Sequence, residues 1–577
     1  MTQTPARGFD AIAMEVFSNR MLSITEEMAI TMVRSSFSSQ IKERRDFSVG
    51  LFDAGGRLIA QGSHMPIHLG SLMGAMQAVL KRYPVEEIQP GDSFICNDPY
   101  LAGGTHLPDI SIVSAVFREG KLLAFAANIG HHSDIGGSVP GSISAKAKSI
   151  FEEGLRIPVI RVARGGVVDA DLVNLIASNS RLPEQRALDL QVQISTNERG
   201  ASQLLEVAAQ MGKAKMLAAI DDTLTYTARR LRRRVAELPD GTHSFTTWLD
   251  DDGLGGDMIP IKATVTVDGE SLIIDMEGTA SQARGALNVS ESALKATVYY
   301  CVKALLDPEL LPNSGMFEAV EIRAPEGSLV NPKAPAASGA RTIACQKIAG
   351  AVFGAFRHIL PVERTIASSF DVLPAINFSG QVNEGDASRF YVFGESIGGG
   401  SGARFGHDGM SATHVHVSNS LNMPSEALEN EFPLLVDEYG MVVDSGGAGR
   451  HRGGLGIVRQ VRAIHDGTIV SARSDCHKRG AAGTEDGAEG GRGRLIRNIG
   501  AGNEESLQSK IAGVVLAAGE TIRIETAGGG GFGSPRERSI EALAADLLDG
   551  VVTEGAAERD YGAHHVRCAK DLLAATN

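Results

Sequence analysis

Nowhere in the 577 residues does an apolar run approach the roughly 20 residues needed to cross a bilayer, which excludes a helical membrane protein. The first twenty residues, MTQTPARGFDAIAMEVFSNR, carry charges throughout and have no apolar signal-peptide core. Cysteine is scarce. Cys96, Cys301, Cys345, Cys476 and Cys568 are odd in number, scattered, and form no CxxC pair. A disulfide framework and a thiolate zinc site are therefore not expected, and a reducing cytoplasm is. Basic residues are outnumbered, with 55 Lys and Arg against 69 Asp and Glu, a formal net charge of −14. No basic run offsets it, so neither nucleic acid nor an anionic membrane is an expected partner.

Phosphate-binding and nucleophile motifs are missing as well. No GxxxxGK[ST] loop occurs, and the segments GAGRHRGG and GGGGFG do not follow a strand and open a helix as a dinucleotide fingerprint requires. GESIG (394–398) matches GxSxG with Ser396 at its centre. The glycines that follow it cannot open the helix of a nucleophile elbow, so a glycine-rich loop is the expectation. No internal repeat is detectable.

Glycine, by contrast, is abundant at 67 residues and clustered rather than periodic, which points to tight turns and close backbone contacts. The length exceeds what one core supports. The patterning predicts a mixed α/β (α+β), multidomain chain. Residues 1–240 read as an N-terminal α/β domain rich in β-hairpins, 241–430 as mixed α/β, 431–535 as a glycine-rich β region and 536–577 as a helical tail. Helices are expected over 9–42, 70–83, 183–211, 214–237, 291–306, 342–358, 539–549 and 567–575. FSVGLFDAGGRLIAQG reads as a hairpin turning at Asp53 to Gly56.

The most informative stretch is 97–142. Two apolar runs, ISIVSAVF (110–117) and LLAFAANIG (122–130), flank Arg118-Glu119-Gly120-Lys121, a hairpin signal. His106 and Asp109 precede the first run; His131, His132 and Asp134 follow the second. A hairpin returns the chain to its start, so these residues are expected to meet at one sheet end. Imidazole from His106 and His131 with carboxylate from Asp109 suits one divalent transition metal, zinc or manganese foremost, with iron(II) the other choice. Asp134 or His132 would be a further ligand, a group fixing an imidazole tautomer, or the acceptor of a water proton.

Other polar positions read two ways. Asp46 and Asp98 are further carboxylates within reach, and Asp98 equally suits capping of the Asn97-Asp98-Pro99 turn. His64 and His68 suit either a pocket wall or a helix start. His414 and His416 are expected on a surface strand leading to a loop, with a second polar cluster as the alternative.

NDPYLAGGTHLPD, the GHHSDIGG stretch, NMPSEALENEFP, DSGGAGRHRGGLG and TAGGGGFGSP together resemble the hydantoinase B/oxoprolinase family, in its order and over nearly the whole chain. Met423-Pro424-Ser425 departs from the family, which often has threonine there. The resemblance implies a metal-binding subunit of an ATP-dependent cyclic amidohydrolase, opening a hydantoin, 5-oxoproline or lactam. It implies that a hydantoinase A-type partner binds the ATP, in an (αβ)2 assembly, and that Asp46 joins His106, Asp109 and His131 as metal ligands. A ketone carboxylase component of the acetone or acetophenone carboxylase type and a non-catalytic scaffold are the alternatives.

Overall fold

The computed structural model describes residues 10–384 and 387–576. Strands are numbered in chain order. A seven-stranded antiparallel sheet is built from β1 (Phe47–Asp53), β2 (Leu58–Gln61), β3 (Ser93–Cys96), β4 (Asp109–Arg118), β5 (Lys121–His131), β6 (Ile160–Arg164) and β7 (Val167–Val168), in the order β2-β1-β5-β4-β3-β6-β7. The central hairpin turns through Glu119 and Gly120, whose φ values of 52° and 71° are those of the tight two-residue turn that matches strand twist. Its register pairs Asp109 with His131 at the open end. On the other side of β5, β1 pairs Phe47 with Gly130, so Asp46 arrives beside His131.

Both faces of this sheet are covered. Helix His68–Arg82 lays Leu72, Met76 and Val79 against Phe94, Val113 and Phe125. Helices Ala11–Ser35 and Pro183–Met211 close the opposite face. The expected helices at 9–42 and 183–237 form as Ala11–Ser35 with a short turn Ser39–Lys42, and as Pro183–Met211 with Lys213–Ala236. Beyond the expected elements, the stretch 142–180 also contributes β6, β7 and helix Ala170–Ser178, because Ile160 to Arg164 can pair with the free edge of β3.

A second, four-stranded sheet comprises β8 (Gly241–Leu249), β9 (Ile259–Asp268), β10 (Ser271–Asp275) and β11 (Val320–Arg323). Helix Arg341–Phe356 lies on it, nearly every residue buried, beside helix Glu291–Leu306. The remaining strands are β12 (Ala375–Glu384), β13 (Ala387–Ser396), β14 (Leu434–Met441), β15 (Ile457–Ala463), β16 (Thr468–Arg473), β17 (Arg494–Arg497), β18 (Glu505–Ser506), β19 (Lys510–Leu516) and β20 (Thr521–Glu525). They form a sheet β13-β12-β16-β19 and a sheet β14-β15-β20-β17-β18 around one shared core. The first of these crosses the 430/431 division expected from sequence, because β12 pairs directly with β16. Three C-terminal helices pack on one another and on Ala448.

The glycine-rich segments thread between these sheets as stacked backbone. Gly447 N–H donates to Gly529 O, Gly453 N–H to Gly447 O and Gly529 N–H to Gly454 O, each at 2.9 Å. A Cβ on Gly453 would sit 1.9 Å from Gly529 O, and one on Gly529 1.9 Å from Ser401 O. Only glycine permits these approaches. Among the described residues, no helix is long and apolar enough to cross a membrane.

Candidate metal centre

Three strand ends and one helix start deliver the site. His131 ends β5, Asp109 starts β4, Asp46 precedes β1 and His68 opens helix His68–Arg82. His106 lies in the turn before β4. The three ligand atoms of His106, Asp109 and His131 lie within 4.8 Å of one another, all buried. Asp109 Oδ1 is 2.9 Å from His106 Nε2 and 2.8 Å from His131 Nδ1, and the two ring nitrogens are 3.2 Å apart. His68 Nε2 lies 3.6 Å from Asp46 Oδ1 and 3.8 Å from Asp109 Oδ1.

Neighbouring groups fix these donors. His106 Nδ1–H donates to Gly339 O at 3.0 Å, so in the neutral ring Nε2 carries the lone pair. Gly339 itself is clamped, since Glu153 accepts from Gly339 N at 2.7 Å and from Ser338 N at 2.9 Å. The other oxygen of Asp109, Oδ2, accepts from Arg341 Nη2 at 2.6 Å and from Thr105 Oγ1 at 2.9 Å. That leaves Oδ1 for the cluster.

The charge states follow from burial and neighbours. Burial, helped by the Arg341 cation, pushes His106 down to about 3, so its ring is neutral at neutral pH. Burial opposes ionisation of Asp109, but His106, Arg341 and His68 overcome it and hold the carboxyl well below its usual value. Asp46 is likewise held low against its burial by His131, His68 and Arg44. His106 Nε2 and Asp109 Oδ1 are therefore two acceptors 2.9 Å apart with no proton of their own to share. Such an arrangement suits a cation. Donors at 2.0–2.1 Å from one ion stand about 3 Å apart, which is the spacing found.

The structure does not bring every candidate here. Successive strand residues face opposite sides, so His132 points away from His131. Its Nε2 meets Gln193 Oε1 at 2.9 Å on helix Pro183–Met211. Asp134 is spent on backbone and arginine: it accepts from Gly136 N and Gly141 N at 3.0 Å, and from Arg181 N and Nη1 at 2.9 Å. Neither residue lines the cavity beside the cluster. Asp98 caps its turn, accepting from Tyr100 N at 2.8 Å and Leu101 N at 2.9 Å, and pairs with Arg156. Ser396 ends β13 with its hydroxyl 3.0 Å from Arg44 Nη2, a donor that cannot act as a base.

His64, His414 and His416 line a separate cavity of about 590 Å³ with Tyr299, Tyr300 and Phe353. The surface strand expected at His414 and His416 does not form. The segment is a largely buried loop, His416 adopts a left-handed φ of 54°, and its Nε2 meets Asp371 Oδ1 at 2.7 Å.

His68 reads two ways in the sequence, and Arg341 carries no local signal there. Arg341 is 232 positions from Asp109 and reaches it only because helix Arg341–Phe356 begins against the sheet end.

The hydantoinase B/oxoprolinase family profile matches residues 10–535. A protein of Methanocaldococcus jannaschii is 34% identical over 570 residues, covering 98% of both chains. A putative B-type component of a D-/L-hydantoinase, from a Pseudomonas strain, is 30% identical, covering 97% of this chain and 96% of its own. 5-Oxoprolinase 1 of Arabidopsis thaliana is 33% identical over 91% of this chain, which spans 42% of that longer protein. Among solved structures, ATP-dependent caprolactamase from Pseudomonas jessenii superposes with a TM-score of 0.87 at 28% identity, covering 96% of each chain. Acetone carboxylase in its nucleotide-free structure shares the fold, with a TM-score of 0.88 at 18% identity over 99% of this chain and 84% of its own.

Proposed function

Because the chain belongs to the hydantoinase B/oxoprolinase family, we propose that it is the metal-binding subunit of an ATP-dependent hydrolase of cyclic amides, acting on a hydantoin, 5-oxoproline or lactam ring. The observation that carries this reading is the convergence of His106 Nε2, Asp109 Oδ1 and His131 Nδ1 within 4.8 Å, with His106 and Asp109 fixed from behind by Gly339, Thr105 and Arg341. His106 Nε2, Asp109 Oδ1 and His131 Nδ1 would hold one divalent cation, zinc or manganese, with Asp46 as the fourth ligand. A cation held there polarises a carbonyl carbon and acidifies a water.

The chain's own residues do the rest. Arg341 and Thr105 keep Asp109 turned so that one oxygen serves the cluster. Gly339 O holds the His106 tautomer. Burial lowers the affinity of His68 for a proton, and Asp109 and Asp46 only partly restore it, so the ring is neutral and ready to accept one. His68 Nδ1 lies 3.3 Å from Ser48 Oγ, which orients it. Ring amides are stable, and phosphorylation of the amide oxygen makes attack favourable. We assign that step and the ATP to an A-type partner in an (αβ)2 assembly, in keeping with the B-type hydantoinase relative and the ATP-dependent caprolactamase. The carboxylase likeness is one of fold alone, so hydrolysis is preferred.

The test is the chain co-expressed with an A-type partner and offered 5-oxoproline, hydantoin and caprolactam with ATP. The expected wild type carries about one equivalent of metal and hydrolyses one ring class. His106→Ala or His131→Ala should lose the metal and cost more than the roughly 10–100-fold typical of residues outside the ligand set. His68→Gln should keep the metal and lower kcat. Full activity with metal retained in His106→Ala would sink the assignment.

A further inference from the structure

Beside the cluster of His106, Asp109 and His131 lies a second set of polar groups, of opposite character. The cavity there has a volume of about 40 Å³, room for about three waters. Arg473, from the end of β16, and Arg341 and Thr342, from the start of helix Arg341–Phe356, all line it. Arg473 is 6% exposed and Arg341 1% exposed, yet among the described residues Nε and Nη1 of both guanidinium groups find no hydrogen-bond partner, nor does Thr342 Oγ1. With Arg44 Nε, six buried donor atoms on residues lining one small space thus stand unsatisfied. Buried donors left unpaired are costly, and buried cations more so. Arg44, the third guanidinium of the cavity, commits Nη1 and Nη2 to Gln40, Gly394 O and Ser396, and only its Nε is left over. The carboxylates at hand, Asp46 and Asp109, face the cation cluster, and Glu395 is paired with Arg459 at 2.7 Å.

We propose that Arg473, Arg341 and Thr342 form an oxyanion-binding site facing the metal cluster, taking the phosphoryl oxygens of an activated substrate or the inorganic phosphate left after hydrolysis. The inference rests on the reading that a phosphorylated substrate reaches this chain. Planar guanidinium forks suit tetrahedral oxyanions, and a hydroxyl adds a further donor. The site joins two distant parts of the chain, since Arg473 pairs in register with Ala375 and Lys510, outside the seven-stranded sheet. Arg473 is the informative residue, because Arg341 also holds Asp109.

The test uses the full-length chain loaded with zinc, its melting temperature followed in phosphate, bicarbonate or acetate against chloride at matched ionic strength. Phosphate at a hundredfold excess over its Kd should raise the wild-type melting temperature by about 2 °C. Arg473→Met should lose that rise, and Arg473→Lys should recover part of it. In chloride alone Arg473→Met should melt at or above the wild type, because an unpaired buried cation has been removed. A wild type indifferent to phosphate, or one answering bicarbonate or acetate instead, would overturn the proposal. So would an equal rise in Arg473→Met, or a large drop in its melting temperature in chloride. Zinc content is measured on the same samples. A phosphate response that requires Arg473 in a chain that does not retain zinc would leave the oxyanion site standing and remove the hydrolase reading.

Discussion

At the open end of β4 and β5, side chains converge with acceptors left facing one another. In the segments 399–410, 444–456, 487–491 and 526–533, runs of glycine bring backbone against backbone. The two regions use the polypeptide in opposite ways. The sheet end brings His106, Asp109 and His131 together with the lone pair of His106 Nε2 facing the Asp109 carboxylate, a repulsion that a cation would relieve. The glycine assembly leaves little unsatisfied: Gly447, Gly453, Gly529, Gly530 and Gly531 each donate to a carbonyl within 3.0 Å. Converging polar side chains mark the first region, and close backbone packing marks the second.

The strongest way to break this comparison is to add a methyl group inside the glycine assembly and, as a control, at an open glycine outside both regions. Gly453→Ala places Cβ 1.9 Å from Gly529 O with no flexible side chain to yield. It should cost more than about 4 kcal/mol and give aggregated or unfolded protein. Gly500→Ala, at a φ of +74° with nothing within 4 Å, is the control and should cost about 1 kcal/mol. Thermal unfolding of the two variants checks both. Equal, small losses would show that the glycine clusters are turns and not a packed assembly.

The second effect sits at the join between the site and its support. Glu153 clamps the 338–339 backbone that holds His106, and burial raises its carboxyl to about 7 although Gly339 N–H and Ser338 N–H oppose the rise. A raised folded-state value means stability present below the unfolded value of 4.5 and lost as pH climbs through 7. At about 1.4 kcal/mol per pH unit, the loss amounts to about 3 kcal/mol across that window. Glu153→Gln cannot titrate. The difference in stability between variant and wild type should therefore shift by about that amount between pH 4.5 and pH 8, read by denaturant or thermal unfolding. A constant difference would show that Glu153 does not change its proton affinity on folding.

Much of the sheet end was legible because the signals were local. Alternating apolar residues around Glu119 and Gly120 dictate a hairpin, and a hairpin fixes which residues meet at its ends. What the sequence hid was carried by distance and by side-chain direction. Arg341 and Arg473 enter from a helix and a strand far along the chain, and nothing in their neighbours marks them. His131 and His132 are adjacent in sequence yet serve opposite faces, and period-two alternation alone does not say which face holds the site. Helix His68–Arg82 decides that, by covering the His131 side. The glycine segments were legible as close-packed but not as partners of one another, since their contacts are between backbones with no side-chain code.

Asp134 sharpens the comparison within the sheet end itself. Its HHxD spacing suggests a reacting carboxylate, but its oxygens are taken up by Gly136 N–H, Gly141 N–H, Ser180 and Arg181. It organises a loop as the glycine assembly does, by satisfying backbone groups. Asp134→Asn replaces one accepting oxygen with a donor facing donors, and should cost about 2 kcal/mol of stability. Metal content should stay at that of the wild type, because His106, Asp109 and His131 keep their own supports. The informative outcome is the reverse pairing. Metal or catalysis lost with stability unchanged would return Asp134 to the reacting centre and leave the 134–142 loop held by something other than its carboxylate.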